Sequence, residues 1–244
     1  MYCCVMDKPQ FNAYIDAYNL YYGALEGRPD LKWLDVAGLC KALMPEMELR
    51  TVYYFTARVK ERFTGDGAPR RQHAYLRALS AVGIEIVFGV FRKDPRWLRF
   101  AGKSSIELIH PKPAPLAGLT RKALDISFES AFPDIPKAHV YKMVEKGSDV
   151  NLASYLLRDS FNVHLNNFLV ITGDSDLATP VKFSVAAGMT VKVIVPSEIQ
   201  FADVLAKAAS SFSHLDLQLL ESNQLPKSVM ASKGSPISRP QSWA

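Results

Sequence analysis

Two aspartates separated by a single serine follow directly after a run of apolar residues. The stretch FLVITGDSDL, residues 168–177, places Asp174 and Asp176 just beyond four apolar positions. Such a run predicts a buried strand whose end brings both carboxylates into one small volume. Like charges this close raise each other's pKa, so the pair needs a positive partner. Capping of the next helix would explain one carboxylate more easily than both.

Two further aspartates extend this acidic set. Asp16 interrupts the end of an apolar strand in YIDAYN, where an isolated buried carboxylate is costly. Asp149 stands in the first turn of a predicted helix beside Ser148, a candidate N-cap, so capping alone would explain it. An arginine or lysine could balance these charges, but one divalent cation would bind all four acids together. Mg²⁺ and Mn²⁺ take such oxygen ligands, completed by water and substrate phosphate.

A carboxylate-held cation of this kind suits hydrolysis of a phosphodiester. The metal lowers the pKa of water, aligns the scissile phosphate and stabilises the leaving oxygen. The charge of the chain is consistent with a polyanionic substrate, since residues 50–103 carry twelve Lys and Arg against four Asp and Glu, while the whole chain has a net charge of +5. Charge alone does not separate nucleic-acid binding from an ordinary solvated face.

Several basic residues are candidates for phosphate contacts. Arg58 follows a strand end, and Lys146 precedes the Gly147 turn beside the acidic set, although a plain surface lysine explains Lys146 equally well. Basic residues also interleave with Phe91, Trp97 and Phe100, a mixture that suits stacking on unpaired bases but also occurs in cores. These basic residues are Arg92, Lys93, Arg96 and Arg99.

The elements that must position these residues alternate between strand and helix. Apolar periodicity predicts strands at 11–18, 51–57, 84–91, 168–172 and 190–195, and helices at 33–43, 69–83, 148–160, 178–187 and 201–209. This alternation predicts an α/β fold with a mostly parallel sheet and helices on both faces. Ligands of such sheets gather at the carboxyl ends of the strands, where Asp16 and Asp174 are expected.

The remaining segments look irregular or extended. Residues 92–141 are rich in proline, and we expect an insertion with little regular structure and an edge strand near 106–109. The main domain is expected at 11–215, with a C-terminal extension at 216–244 that is mostly disordered past 226. Three cysteines form no disulfide framework, and neither a signal peptide nor a membrane-length apolar run is present, so a cytoplasmic protein is expected.

Three stretches carry a family resemblance. AYIDAYNLYYG, KGSDVNLASYLLRD and FLVITGDSDLATPVKFSVAAGMTVKVIVP closely resemble the NYN domain, a branch of the PIN-like ribonuclease superfamily. YYFTARV, RQHAYLRAL and LPKS resemble one widespread bacterial branch of it. The resemblance extends over roughly residues 11–226 and is weakest in 92–138. Ala17 stands where a glycine is common, and the cysteine pairs frequent in the insertion of related chains are missing, which argues against a zinc-stapled insertion.

The resemblance implies a PIN-like three-layer sandwich and a Mg²⁺ or Mn²⁺ site. By motif, the aspartates of the acidic set fall on the metal-binding and catalytic acids of the family: Asp16, Asp149, Asp174 and Asp176. Asn19 falls on the asparagine of the first motif, with a role in orienting Asp16 or the substrate. Thr172 and Ser175 flank the site as candidates for binding metal-linked water or phosphate.

The predicted function is a metal-dependent endoribonuclease in which metal-activated water attacks RNA, either single strands or structured loops. The alternatives are a non-catalytic RNA-binding or regulatory module and, more weakly, a DNA-directed nuclease, because no device for reading a 2′-hydroxyl is visible. The intact acidic set favours the enzyme, since a pure binder has no need for negative charge where phosphate must sit. The oligomeric state stays open, with a homodimer as one option.

Overall fold

Six parallel strands form the central sheet of the protein. The computed structural model describes residues 8–61, 64–99, 137–197, 203–231 and 234–243, except for the side chains of 92–99 and 137–144. The ten described strands are β1 Gln10–Asp16, β2 Glu48–Thr56, β3 Glu85–Phe88, β4 Val90–Arg99, β5 Lys137–Lys146, β6 Asn167–Ile171, β7 Thr190–Val195, β8 Ser211–His214, β9 Ser228–Met230 and β10 Pro236–Ser238. The sheet has the order β3-β2-β1-β6-β7-β8, and its neighbouring strands all pair in parallel.

Helices connect these strands. The described α-helices are α1 Ala17–Leu20, α2 Val36–Leu43, α3 Ala68–Ala81, α4 Ser148–Asp159, α5 Ala178–Ala186, α6 Asp203–Ala208 and α7 Leu217–Ser222. Shorter turns of other helical types lie at Tyr21–Leu25, Pro29–Leu31, Ser175–Leu177 and Gln241–Trp243. In the described part of the chain, no helix is long and apolar enough to cross a membrane.

Side chains alternate across the sheet and build one core on each face. Along β1, Ala13 and Ile15 pack into a core with α2 and α3, while Tyr14 packs into a second core with α4, α5 and α6. Both faces of the sheet are therefore covered by helices. The prediction of a PIN-like three-layer α/β sandwich with a mostly parallel sheet is confirmed.

Several predicted element bounds needed correction, among them the strand expected at 11–18, which ends at Asp16 because α1 begins at Ala17. The helix expected at 33–43 begins at Val36, because the Asp35 carboxylate caps it by accepting from the amides of Ala37 and Gly38 at 3.1 and 3.0 Å. The strand expected at 84–91 is interrupted at Gly89, where the Gly89 amide donates to the carbonyl of Thr56 at 2.7 Å. Helix α4 follows Gly147, whose φ of 96° is left-handed, so Ser148 is inside the helix rather than at its N-cap.

The region expected to be irregular, 92–141, contains regular structure at both ends. β4 and β5 pair with each other in a separate two-stranded sheet, and residues 92–144 form a compact unit of their own. Proline at position 95 did not prevent the strand, as expected of a two-stranded sheet, in which both strands are edges. The edge strand predicted at 106–109 lies outside the described residues.

The expectation of disorder past residue 226 is wrong for the described residues. β9 and β10 form an antiparallel pair, with Ile237 opposite Val229. Trp243 is buried, and its ring lies 6.3 Å from that of Trp33 and 6.0 Å from that of Tyr75. The Pro, Ser and Lys content suggested a solvated tail, but a few apolar side chains suffice to hold it. Residues 216–244 belong to the same compact unit as the sheet, so the boundary expected after 215 does not separate two units.

Candidate functional site

The chain changes direction in the middle of the sheet, between β1 and β6. From β1 it proceeds outward to β2 and β3, and after the 92–144 unit it returns to the other side of β1 and continues to β7 and β8. In open parallel sheets, ligands bind at the carboxyl ends of the strands beside such a switch point. Asp16 ends β1, and Thr172 follows the end of β6 directly. The two predicted acidic stretches therefore meet at the place where this sheet architecture forms sites.

The Asp16 carboxylate is buried and held by four hydrogen bonds. Its Oδ1 accepts from the amides of Tyr18 and Asn19 at 3.1 and 3.0 Å, so it caps α1. Its Oδ2 accepts from Nδ2 of Asn19 at 2.6 Å and from Oγ1 of Thr172 at 3.1 Å. A carboxylate has about four lone-pair positions, and here each is used.

Asn19 and Thr172 connect Asp16 to the loop that carries the second acidic stretch. Oδ1 of Asn19 accepts from the amide of Gly173 at 3.2 Å, and Oγ1 of Thr172 accepts from the amide of Asp174 at 3.1 Å. Both side chains thus fix the end of β1 against the end of β6. The catalytic part assigned to Asn19 and the substrate contact assigned to Thr172 stay predictions.

The two aspartates of the GDSD stretch differ in their surroundings. Asp174 is half-buried and caps the turn Ser175–Leu177, because its Oδ1 accepts from the amide of Asp176 at 3.0 Å. Asp176 and Ser175 are exposed. Capping explains the position of Asp174, as one of the sequence alternatives held, and leaves its Oδ2 without a hydrogen-bond partner within the described residues.

Helix α4 brings Asp149 to the same edge of the sheet. At its far end, Oδ2 of Asp159 accepts from Asn12 at 3.0 Å and from Tyr14 at 2.8 Å, which fixes that end beside the middle of β1. Asp149 lies ten residues earlier, about 15 Å along the helix at 1.5 Å per residue. Asp16 lies four residues beyond Asn12, about 13 Å along the strand. The two carboxylates therefore reach the same end of β1.

Burial and the neighbouring acids both act on the Asp149 carboxyl. Partial desolvation of its carboxyl is the first cause that raises the pKa of Asp149 to about 6, and the charges of Asp16 and Asp174 are the next two. Glu145 and Asp176 contribute smaller repulsions. Burial also raises the pKa of Asp16, against the lowering effect of its bonds to Asn19 and Thr172. No described lysine or arginine forms an ion pair with Asp16, Asp149 or Asp174.

The donor set suits a cation held by few protein ligands. Within the described ranges, no group of three or more His, Cys, Asp or Glu side chains is arranged to hold a metal ion. Asp16 has no lone pair left, so among the described contacts the free oxygen atoms of the four aspartates belong to Asp149, to Asp176 and to Oδ2 of Asp174. One or two carboxylates plus several waters is the usual protein environment of Mg²⁺. The residues fit such a water-rich ion, and the sharing of one cation by all four aspartates stays a prediction.

Glu145 is an acid of this site that the sequence analysis missed. Its Oε1 accepts from the amide of Ser148 at 3.1 Å and from Oγ of Ser148 at 2.8 Å, which shapes the turn before Asp149. The spacing EKGSD, with an acid four residues before Asp149 across a glycine, was the available signal. Glu145 adds negative charge to the cluster without a described basic partner.

Two tyrosines beside the acids were also missed, although Phe91, which contacts one of them, was among the predicted stacking residues. The rings of Tyr18 and Tyr22 stack at 6.4 Å, and Phe91 meets Tyr18 edge-on at 5.7 Å. Tyr18 is fixed because its hydroxyl donates to the carbonyl of Ala57 at 2.8 Å, whereas Tyr22 is 62% exposed. The tyrosines at 18, 21 and 22 in IDAYNLYYG were the signal, since they follow Asp16 at helical spacing.

The predicted phosphate-binding residues are only partly described. Arg58 lies just beyond the end of β2, exposed, with its guanidinium carbon 4.6 Å from the ring centre of Phe88. Lys146 is exposed at the end of β5, three residues before Asp149. Four further candidates lie on β4, and their side chains are outside the described part of the structure: Arg92, Lys93, Arg96 and Arg99.

Known proteins resemble this chain in sequence. The family model of the NYN domain matches residues 116–216, a range that includes Asp149, Asp174 and Asp176 but begins after Asp16. This match confirms the resemblance found in the sequence motifs.

Two individual proteins were compared with this chain by sequence identity and coverage. A Pseudomonas putida (strain DSM 28022 / S16) protein named 6-hydroxy-3-succinoylpyridine 3-monooxygenase HspA is 28% identical over 94% of this chain and 74% of its own length. A crystal structure of a Vibrio parahaemolyticus protein of unknown function is 15% identical and covers 89% of this chain and 97% of its own, with a TM-score of 0.42. A structural similarity this low carries no argument about function.

Proposed function

We propose, from the NYN domain that this chain carries, that it is a metal-dependent endoribonuclease that hydrolyses RNA phosphodiester bonds. The observation behind this proposal is the convergence of Asp16, Asp149 and Asp174 on one edge of the sheet, with no described basic residue neutralising them. A structural ion network would carry such a partner, because uncompensated like charges destabilise the folded state. A divalent cation supplies the missing positive charge.

The carboxylate oxygen atoms that accept no hydrogen bond decide which residues could bind the cation. Asp149 and Oδ2 of Asp174 would hold Mg²⁺ or Mn²⁺, which when bound activates water and aligns the phosphate. Asp16, with every lone pair used, positions Asn19 and the loop that carries Asp174.

Substitution of Asp174 tests this function directly. We expect Asp174→Asn to lower the rate of RNA cleavage at least a hundredfold, because the free oxygen is lost while the amide oxygen can still cap the turn. Thermal stability should stay equal or rise, since one member of a repelling cluster is neutralised. Cleavage of labelled single-stranded RNA with Mn²⁺, Mg²⁺ or EDTA measures the rate, and thermal denaturation measures the fold.

Asp216→Asn is the matched control. Asp216 also caps a helix, with its Oδ1 accepting from the amide of Gln218 at 2.8 Å, but it is not among the charges that act on Asp149. This variant should cleave RNA at the wild-type rate. If Asp174→Asn cleaves as fast as the control, the active-site assignment is wrong.

The non-catalytic RNA-binding module is the second candidate. It is favoured by the complete hydrogen bonding of Asp16 and by the lack of a three-residue metal group in the described ranges. The same assay separates the two candidates, because a binder retains RNA without cutting it under any of the three metal conditions. Labelled DNA in parallel tests the DNA-directed alternative.

The similarity to the Pseudomonas putida protein raises a third candidate, oxygenation of an aromatic acid. The 28% identity over 94% of this chain favours it. Such a reaction consumes O₂ and an electron donor. Oxygen uptake is measured with 6-hydroxy-3-succinoylpyridine and a reduced nicotinamide cofactor, beside the RNA assay. Together the two assays distinguish oxygenation from RNA cleavage. The RNA partner, the homodimer and the cytoplasmic location remain predictions.

A further inference from the structure

A cleft of about 380 Å³ lies along helix α3, next to β3 and the β9–β10 pair. Clefts of about 300–1,000 Å³ are the usual size for small organic ligands. Residues His73, Arg77 and Ser80 line it from one face of α3, at helical spacing. It uses none of the acids of the site described above.

Positive charge dominates the rim of this cleft. Arg58 and Arg77 are both exposed lining residues, and His73 adds a ring nitrogen between them in sequence. No Asp or Glu is among its described lining residues, and neither arginine has a described ion-pair partner. Planar guanidinium groups bind phosphate through paired hydrogen bonds, so the rim is complementary to an organic anion.

The floor of the cleft is apolar. Ile86 and Phe88 line it from β3, and Ala231 and Ile237 line it from the C-terminal strands. Phe88 is 40% exposed, a large fraction for an aromatic side chain on a sheet. Because the Arg58 guanidinium lies over the Phe88 ring, a ligand ring would contact the aliphatic part of the floor. An apolar floor below cationic groups suits a flat ring that carries a phosphate, because burial of the ring against apolar side chains is favourable.

The rim of the cleft is connected to the acidic edge of the sheet. Arg58 follows Ala57, whose carbonyl accepts from the Tyr18 hydroxyl at 2.8 Å and from Nε2 of Gln72 at 2.9 Å. Tyr18 lies two residues after Asp16. Arg58 and the acids therefore stand at the carboxyl ends of adjacent strands, β2 and β1.

We propose that this cleft binds a phosphorylated nucleotide, with the phosphate on Arg58 and Arg77 and the base against the apolar floor. The nucleotide is either free or part of an RNA strand, and in the second case the inference rests on the proposed ribonuclease function. The cleft then holds a part of the strand outside the acidic site and contributes to affinity rather than to bond cleavage.

Calorimetric titration of the full chain in EDTA and low salt tests this inference with AMP and adenosine as probes. Wild-type protein should bind AMP at least tenfold more tightly than adenosine. Arg77→Ala should weaken AMP binding about tenfold and leave adenosine unchanged, with Arg77→Lys between the two. Arg50→Ala removes an exposed arginine at the opposite end of β2 and should change AMP affinity less than twofold.

A second variant and an RNA probe complete the design. Ser80→Phe fills the cleft from an exposed helix position and should weaken both AMP and adenosine, even if Arg77→Ala fails to fold. A 5′-phosphorylated RNA tetranucleotide that binds with the same Arg77 dependence identifies an RNA end as the ligand, whereas binding of AMP alone identifies a free nucleotide.

Two results would overturn the inference: wild-type protein without preference for AMP over adenosine, or equal losses in Arg77→Ala and Arg50→Ala. The measurement is independent of catalysis because EDTA prevents cleavage. Wild-type cleavage by Asp174→Asn would therefore refute the proposed active site and leave the cleft result standing.

Discussion

At the scale of single residues, acids that look alike in the sequence differ in the number of hydrogen bonds that they accept. Asp16 and Asp149 both precede or begin a helix, yet Asp16 accepts four hydrogen bonds and Asp149 accepts none from the described residues. The buried Asp16 thus acts as a fixed point, while Asp149 keeps its oxygen atoms for a ligand. This division supports the proposal that Asp149 takes part in the chemistry.

The raised pKa of Asp149 predicts a stability that depends on pH. The folded pKa of about 6 lies above the ordinary value of about 3.9, so the folded state binds this proton more tightly than the unfolded state. The stabilisation from protonated Asp149 is complete below about pH 4 and is lost as the pH rises through 6. Asp149→Asn stays neutral, and its melting temperature relative to wild type should therefore rise between pH 4 and 7.5 in EDTA.

Asp203→Asn provides the comparison for this pH series. Asp203 also lies in the first turn of a helix, but it is not among the charges that act on Asp149. Its melting temperature relative to wild type should not follow the same pH trend. Parallel curves for wild type and Asp149→Asn in thermal denaturation would show that the acids do not repel one another.

The sequence predicted which acids form the site, but not which of them are fully hydrogen-bonded and which keep free oxygen atoms. Carboxylates after apolar runs are visible in YIDAYN and VITGDSD, because strand ends are readable from local pattern. Which oxygen atoms remain free depends on contacts such as Thr172 with Asp16, which are 156 residues apart. Local pattern contains no information about such contacts.

At the scale of elements, the turn before α4 depends on a glycine from another strand end. An ideal Cβ on Gly89 would lie 2.8 Å from the carbonyl oxygen of Lys146 and 2.8 Å from Oγ of Ser148, and it would also clash with Glu145. Backbone atoms cannot move away cheaply. The approach of Gly89 therefore fixes the position of the turn that presents Asp149.

Gly89→Ala should destabilise the protein by about 1–3 kcal/mol, the usual cost of overpacking, and should also slow RNA cleavage because the Asp149 turn shifts. Urea unfolding measures the first effect. Gly67→Ala is the control, since its Cβ would meet only the flexible end of Arg71, at 2.6 Å from Nη1, and its φ of −72° suits alanine. Equal stability of the two variants would contradict this account of the turn.

The parallel sheet and its helices were predictable, while the segments that lack periodicity were not. Apolar strands alternating with amphipathic helices specify the layers. Strands β4 and β5 lie in a proline-rich and highly charged region, so neither alternation nor propensity marked them. β4 and β5 form because they pair with each other across about 40 residues of intervening chain.

At the scale of the whole molecule, the C-terminal residues complete the core on one face of the sheet. Nε1 of Trp33 donates to the carbonyl of Pro226 at 2.8 Å, and Trp243 packs against Trp33 and Tyr75. This segment is ordered although its composition is typical of disorder, because two tryptophans and a short strand pair offset the entropy of ordering it.

Trp243→Ala should cost about 3 kcal/mol of unfolding free energy, as expected for removal of a large buried aromatic side chain. Met230→Ala is the control from the same segment: Met230 is 61% exposed, and its loss should change stability by less than about 0.5 kcal/mol. Both values come from urea unfolding. A Trp243→Ala variant as stable as the control would show that the C-terminal segment does not stabilise the fold.

The position of β1 in the centre of the sheet has a consequence for synthesis. β1 pairs with β2, which soon follows it, but its other neighbour, β6, is made only after some 150 more residues. Translation at about 5–20 residues per second separates Asp16 from the 156th residue after it, Thr172, by roughly 8–30 s. During that interval a nascent chain on the ribosome has Asp16 but not the loop of Asp174. For that time the messenger RNA that encodes the protein is not exposed to an assembled acidic site.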